Sequence, residues 1–570
     1  MCDTQLNTLD LCKAGAWTLD ASCSASQKCR SATLTCTEVP TQCVGKRPGQ
    51  FVCTGNEVFA CSADLLSGVV IDVCANSPCV ANGFSASCGP SNCGNGGIDA
   101  NEACDDANGD DSDDCLATCQ KATCGDGALW AKHEACDDHN TLAGDGCSAT
   151  CQAEQGPAQI FAGSQSTCTL GVSGSLKCWG NNDEGQLGQG DTNSRGGSPD
   201  QLGKILLAID LGAGLKVATV AMGYRHTCAL FTTGAVKCWG GNDSGELGLG
   251  DQDYRGDDEG EMGSALPFLN FGAGRSAVAI AAADQHSCAI LDNGKVKCWG
   301  SNGGGQLGIG NTDDHGSHPG GMGDALPYVD LGTGRTALAI DASDSHACAI
   351  LDNHSVKCWG ANGSDLGLGT LDAKGDDEGE MGDDLPAVSL GTGRTAVAIS
   401  IGNGTNCARL DNGDLKCWGE NGSGQLGLGH TTLIGDHPNK MGNALPAVSL
   451  GTGLVAQSVS VGDQFVCALL KGGSVKCWGA GGRLGDETDN NRGDAPGQMG
   501  DVMPALALGT NRSAVSLSVG GDHACAILDN GSLKCWGYND SGQLGHGDTQ
   551  LIGNQPNQMG DWLTTTSLVF

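Results

Sequence analysis

The chain has 570 residues, 94 of them glycine and 33 cysteine, with aromatics at 4% and a formal net charge of −36. A chain of this length exceeds a single hydrophobic core and divides into domains. So acidic a surface repels phosphate backbones, which excludes nucleic acid as an expected partner, and no apolar run of about 18 residues is present to span a membrane.

Residues 1–152 hold 19 of the cysteines, and their density points to an oxidising, extracellular or cell-surface compartment and to disulfides. Zinc is the rival reading of cysteine clusters. The first segment reads as two similar modules, 1–40 and 41–92. Cys53, Cys61, Cys74, Cys79 and Cys88 parallel Cys2, Cys12, Cys23, Cys29 and Cys36, and Cys43 has no counterpart in the first half. The odd count fits a first module that lacks its opening cysteine, so the chain is expected to start downstream of a leader. The alternative is that Cys2 is a lipidated N-terminal cysteine. Such a cysteine-rich region is also a candidate for self-assembly, and its disulfide connectivity cannot be read from spacing.

Residues 93–152 form two short acidic repeats, Cys93 to Cys119 and Cys124 to Cys151. The second carries Cys124-Gly125-Asp126-Gly127, Asp137-Asp138-His139-Asn140 and Gly144-Asp145-Gly146. Carboxylates gathered on a glycine-rich, disulfide-held loop suit a hard cation, so Asp126, Asp137, Asp138, Asn140 and Asp145 are the candidate calcium ligands. In the first repeat Gly-Asp-Gly becomes Gly-Asn-Gly, which weakens its site. The same acids can equally cap turns. Both repeats resemble myxobacterial-type cysteine-rich repeats, with an acidic spacing similar to that of Lin-Notch modules.

From residue 153 onward the tripeptide Cys-Trp-Gly occurs seven times, with another cysteine ten residues before each. The pairs are Cys168 with Cys178, Cys228 with Cys238, Cys288 with Cys298, Cys348 with Cys358, Cys407 with Cys417, Cys467 with Cys477 and Cys525 with Cys535. Successive steps are 60, 60, 60, 59, 60 and 58 residues. A fixed period of this size marks a repeat architecture, and seven strand-rich units predict an all-β, seven-bladed β-propeller over 153–570.

Within a unit, Cys288-Ala289-Ile290-Leu291, Asp292-Asn293-Gly294 and Lys295-Val296-Lys297-Cys298 read as a hairpin. If Cys288 faces Cys298, Ile290 faces Val296 and a three-residue loop remains, with a positive-φ residue third. Gly174, Gly234, Gly413, Gly473 and Gly531 fill that place, and His354 is the exception. Opposed strand positions lie about 4.5–5.5 Å apart, inside disulfide reach, so each pair is expected to staple its own blade. Four strands per unit are expected. The first unit is expected to lack its early strand, which the C-terminal segment 563–570 would supply.

The histidines His226, His286, His346 and His523 sit two residues before a cysteine, and their repetition favours a structural role. The tryptophans read as core, and the recurring Met-Gly methionines as loop anchors. Two acidic loops, Asp257, Asp258, Glu259 with Glu261 and Asp376, Asp377, Glu378 with Glu380, are the candidate binding loops, since binding concentrates in loops on a rigid scaffold.

The motif His-x-Cys-Ala-x-Leu-x-x-Gly-x-Val-Lys-Cys-Trp-Gly-x-Asn-x-x-Gly-Gln-Leu-Gly resembles the regulator of chromosome condensation repeat over about 157–570. The extra cysteine pair and the long acidic loops look like the secreted bacterial branch. The resemblance implies a seven-bladed ring. The nuclear exchange activity of the eukaryotic namesake is not carried over, because disulfides and negative charge oppose it. A bacterial β-lactamase inhibitor with a similar ring binds its target through one face, which supports a binding scaffold for a protein or glycan. A structural subunit of an extracellular assembly is the alternative, and a carbohydrate-acting enzyme with carboxylates converging on the axis a third. No catalytic triad, zinc-protease or phosphate-loop signature appears, so no enzyme and no organic cofactor are expected, and calcium is the one candidate ion.

Overall fold

The computed structural model describes residues 157–568, residues 98, 102–108, 110, 113–124, 126 and 130, and the backbone of the strands between Cys2 and Cys88. It divides into two compact units, Met1–Leu142 with Cys147–Ala153, and Ala143–Gly146 with Glu154–Phe570. In the first unit, a three-stranded sheet and a hairpin (Gln27–Arg30 with Thr35–Glu38) are followed by a second three-stranded sheet and hairpin (Cys79–Asn82 with Ser85–Cys88). The two halves thus repeat one element order.

The second unit is a ring of seven three-stranded antiparallel sheets. Blade one is Pro157–Ala162, Ser166–Gly171 and Leu176–Gly180. Blade two starts at Val217, three at Ala277, four at Ala337, five at Ala396, six at Ala456 and seven at Ala514. The hairpin register follows the cysteine spacing: in blade three Cys288 pairs with Cys298 and Ile290 with Val296. The third loop residue has φ of 74° at Gly294 and 62° at His354, the left-handed region in which glycine is least strained.

All seven repeat pairs are disulfide-bonded within their own blade. The Cα atoms are 4.0 Å apart for Cys168 and Cys178, 4.1 Å for Cys228 and Cys238, and 4.1 Å for Cys288 and Cys298. They are 4.0 Å apart for Cys348 and Cys358, 4.1 Å for Cys407 and Cys417, 4.1 Å for Cys467 and Cys477, and 4.0 Å for Cys525 and Cys535. The pairing is the one expected, but each pair lies closer than the expected spacing. The ladder supplies the reason. Leu291 N donates to Lys295 O at 2.8 Å, which places Cys288 and Cys298, three pairs further along, at a non-hydrogen-bonded position. Opposed strands approach most closely at such positions.

Alternation along each strand buries both faces. In blade three, Cys288, Ile290, Val296 and Cys298 pack on Ala347, Ala349, Leu351 and Trp359 of blade four. Ala289, Leu291 and Trp299 face the other way, onto blade two. The core therefore lies between blades. Each of three Trp indoles also crosses an interface: Trp239 donates to Gln186 O at 3.0 Å, Trp299 to Glu246 O at 2.9 Å, and Trp179 to Gln543 O at 2.9 Å. That last bond joins blade one to blade seven with the chemistry used elsewhere, so the ring is closed. The glycine after each Trp has no freedom to change, because a Cβ on Gly300 would collide with the carbonyl oxygen of Gln285.

Two expectations are corrected. The fourth strand is an extended segment held by one backbone bond, as Val329 N to Val296 O at 2.9 Å, too little pairing to make a ladder. And blade one is not completed by the C-terminus. Pro157–Ala162 is its own first strand, pairing with Ser166–Gly171. Thr566 N donates to Leu533 O at 2.9 Å, so the C-terminal segment is the outer edge of blade seven. It reaches blade one through a bond from Gly203 N to Ser567 O at 3.1 Å, the counterpart of Gly263 N to Asp210 O between blades two and one. The Leu-Pro segment belongs to the blade before it, so the repeat boundary falls one segment later than the sequence pattern suggests.

Candidate functional site

The first strand of every blade is the innermost. The ends of all seven line one axial cavity of about 270 Å³. One or two residues past each strand the chain reaches the rim, and there the sevenfold pattern breaks: Tyr224, Asp284, Asp344, Asn403 and Asp463 in blades two to six, Ser164 and Gly521 in one and seven. Burial, with the Asp344 charge added, raises the Asp284 carboxyl above the usual range. Asp463 is pushed up to about 6 by burial and then by the charge of Asp522, against the pull of Arg483, with Asp284 and Asp344 adding. These carboxylates act on one another, while Arg225 pulls the other way on Asp284 as Arg483 does on Asp463.

Asp341, in the wall of the same cavity, is also raised to about 6 by burial, but its oxygens accept from Ile401 N at 2.9 Å and Ala342 N at 3.0 Å. Ser400, Ser460 and Ser518 do the same from their blades, accepting from Val461, Val519 and Ala162 at 3.0–3.2 Å. Asp341 therefore stitches first strands together.

Beside the axial opening, a second cavity of about 290 Å³ is lined by Asn403, Glu420, Asp463, Gln464, Arg483 and Asp522. Arg483 occupies the place of the buried glutamine in the Gly-Gln-Leu-Gly turn. Here the turn is shortened, and the guanidinium instead bonds Asp522 and stacks 5.1 Å from the Tyr538 ring. Between blades one and two, Arg225 bonds Glu184 and lies 5.4 Å from the Tyr224 ring. Tyr254 Oη donates to Asp243 at 2.8 Å, and burial, with that bond second, pushes its pKa to about 12.

The sequence-derived candidates fall elsewhere. Glu261 Oε2 accepts from Gly256 N at 2.9 Å and Asp258 N at 3.3 Å, and Glu380 Oε2 from Gly375 N at 3.0 Å and Asp377 N at 3.4 Å. Gln498 and Gln558 brace their loops identically. Glu261 and Glu380 are loop braces. Asp258, Glu259, Asp377 and Glu378 stay exposed, while Asp257 and Asp376 are half-buried beside the braces. Asp126 caps its own turn, accepting from Thr123 N at 2.7 Å. Asp137, Asp138, Asn140 and Asp145 lie outside the described residues. Among the described residues, three ligand-type atoms come within 4.8 Å of one another at Glu102, Asp105 and Cys119, in the first repeat rather than the second. Cys119 is disulfide-bonded, and so offers no thiolate. Cys104 pairs with Cys115. The fourteen ring cysteines, Cys168 with Cys178 through Cys525 with Cys535, are staples and take no part in a site.

The repeat histidines are structural. His226 Nε2 meets Ser287 Oγ at 2.7 Å, His346 Nε2 meets Asn406 Oδ1 at 2.9 Å, and His523 Nε2 meets Thr167 Oγ1 at 2.8 Å, each across a blade interface. Ala347 stands where blade three has Ser287, so His286 has no such side-chain partner. Burial lowers the pKa of His226 and His523 to about 4 and of His286 to about 3. The axial ring was missed because its residues sit between the constant motif positions and vary from blade to blade. The only signal was that variation.

An RCC1-like domain pattern matches residues 208–568, a regulator of chromosome condensation repeat matches 173–230, and a domain of unknown function, DUF4215, matches 116–152. The ultraviolet-B receptor UVR8 of Arabidopsis thaliana is 28% identical over 68% of this chain and 79% of its own length. Human E3 ubiquitin-protein ligase HERC2 is 25% identical over 68% of this chain, which spans only 7% of that protein. Human WBSCR16 has a similar fold, with a TM-score of 0.51 and 17% identity over 68% of this chain and 94% of that one. With the ring, its seven phased repeats and a match over more than half its length in agreement, the chain belongs to the RCC1-like domain family.

Proposed function

We propose that the protein is a secreted or surface-displayed binding scaffold whose acidic axial face engages basic groups of a macromolecular partner, with the N-terminal modules positioning the ring. One observation carries this reading: Asp284, Asp344 and Asp463 share the axial opening, where burial and neighbouring carboxylates raise Asp284 and Asp463 against the pull of Arg225 and Arg483. A partner's ammonium or guanidinium groups relieve that repulsion on docking, and such contacts steer association and weaken with salt. Asp463 loses its proton as the cation arrives, so binding tightens as pH rises through about 6.

The test replaces Asp284, Asp344 and Asp463 together by Asn. Retention of partners on the immobilised protein is expected to fall at least tenfold at low salt, with thermal stability above pH 6 unchanged or higher. Equal retention by the variant would sink the axial reading. Hydrolysis of a glycan that disappears with Asp463→Asn alone would favour the enzymatic alternative instead.

A further inference from the structure

The Lys of every Lys-Cys-Trp-Gly lies buried on the middle of its blade. Lys237, Lys297, Lys357, Lys416 and Lys476 each donate to two backbone carbonyls, for example Lys297 Nζ to Phe271 O at 3.1 Å and to Gly323 O at 2.6 Å. Lys534, in blade seven, is only 7% exposed yet donates to one carbonyl, Gly560 O at 2.7 Å. An ammonium has three donors, so on Lys534 two remain for solvent or a ligand.

The surroundings differ as well. In blade two the Phe268 ring lies 4.6 Å from Lys237 Nζ, and in blade three the Tyr328 ring lies 4.7 Å from Lys297 Nζ. Ala387, Ala447 and Ala505 hold that place in blades four to six, where the lysine has both carbonyls. In blade seven the place belongs to Thr565, and a groove of about 520 Å³ opens, lined by Lys534, Arg512, Thr510, Asp561, Thr564 and Thr565. Asp561 accepts from Thr510 N at 2.7 Å and Thr510 Oγ1 at 2.5 Å, and its charge also acts on Lys534, so a ligand anion shares the lysine with it. Arg512 makes one contact of 3.3 Å to Asp529, leaving donors over. The Thr564 and Thr565 hydroxyls make no hydrogen bond among the described residues.

We propose that this groove binds an oxyanion, a carboxylate or phosphate group carried on a larger ligand, with Lys534 as the buried charged anchor and Arg512 and the two threonine hydroxyls as additional donors. Charge-assisted hydrogen bonds of this kind are the strong ones, and the site is independent of the axial face.

The symmetry of the ring supplies the test. Acetate and inorganic phosphate, at constant ionic strength set with chloride, are titrated into the full chain by calorimetry. Saturable binding of one equivalent is expected. Thr565→Tyr, which restores the lid of blade three while keeping Lys534, is expected to weaken binding at least tenfold. Arg512→Gln, at a half-exposed position, is expected to weaken it several-fold. Preference for acetate identifies a carboxylate ligand, and preference for phosphate a phosphorylated one; either supports the site. Heat that matches chloride alone, or unchanged affinity in Thr565→Tyr with its melting temperature intact, overturns it.

Discussion

Glu246 shows how one residue can be at odds with its place in a repeat. Gln186, Gln306, Gln425 and Gln543 occupy the same turn position, and their side-chain oxygen accepts a backbone N–H two residues back, as Gln306 does from Gly304 at 2.8 Å. Glu246 makes that bond too, from Ser244 N at 2.8 Å, but it is a carboxylate only 2% exposed, and burial pushes its pKa to about 7 from 4.5. The folded state holds this proton more tightly than the unfolded state. Stability is therefore lost as pH rises from 4.5 towards 7. Glu246→Gln keeps the bond and removes the charge. In chemical denaturation the variant is expected to match the wild type near pH 4.5 and to be more stable by about 3 kcal/mol at pH 8. Equal stability at both values would show that the carboxylate is solvated or otherwise compensated.

At the scale of the element, the hairpin was the legible part. Cysteine spacing, loop length and a glycine at the third loop position agree on one register, because covalent reach and backbone sterics act locally. The partner of the Leu-Pro segment was not legible. Nothing in Leu326-Pro327-Tyr328-Val329 says whether it lies on the blade before or after it, and only the bond to Val296 decides. The seven lysines were visible in every copy, yet a lysine in a strand ordinarily reads as exposed. Their burial follows from backbone carbonyls supplied by distant segments, as Phe271 and Gly323 supply Lys297. Each disulfide closes a short loop, and its loss is expected to cost about 2–3 kcal/mol. Replacing Cys288 and Cys298 together by Ala should lower stability by that amount in equilibrium unfolding. A much smaller loss would mean that the strand ladder and the packing against blade four already hold the hairpin.

For the whole molecule, the ring depends on contacts that recur at each interface, so truncating one end tests its closure. Removing residues 563–570 deletes the Thr566 to Leu533 and Gly203 to Ser567 bonds and the buried side chains of Leu563 and Leu568. Hydrogen exchange is then expected to rise first in blades seven and one, with blades three to five protected. Uniform loosening would indicate that the ring unfolds as one unit. The ring and its repeat number were legible from periodicity alone. The axial face was not, since a repeat is recognised by what stays constant and this face consists of what does not.

The shortened turn of blade six has a mechanical consequence. With Arg483 in place of the turn glutamine, the Trp536 indole finds no acceptor among the described residues, and Phe465 stands where a histidine would reach the next blade. Near the axis, blades six and seven gain the Arg483–Asp522 ion pair beside the neutral bonds from Val519 N to Ser460 Oγ and from Asp463 N to Gly521 O. Ionic strength weakens this pair and the Arg225–Glu184 pair between blades one and two, while leaving the neutral bonds largely untouched. Salt therefore acts most on these two interfaces of the ring, and neither is the one that joins blade seven to blade one.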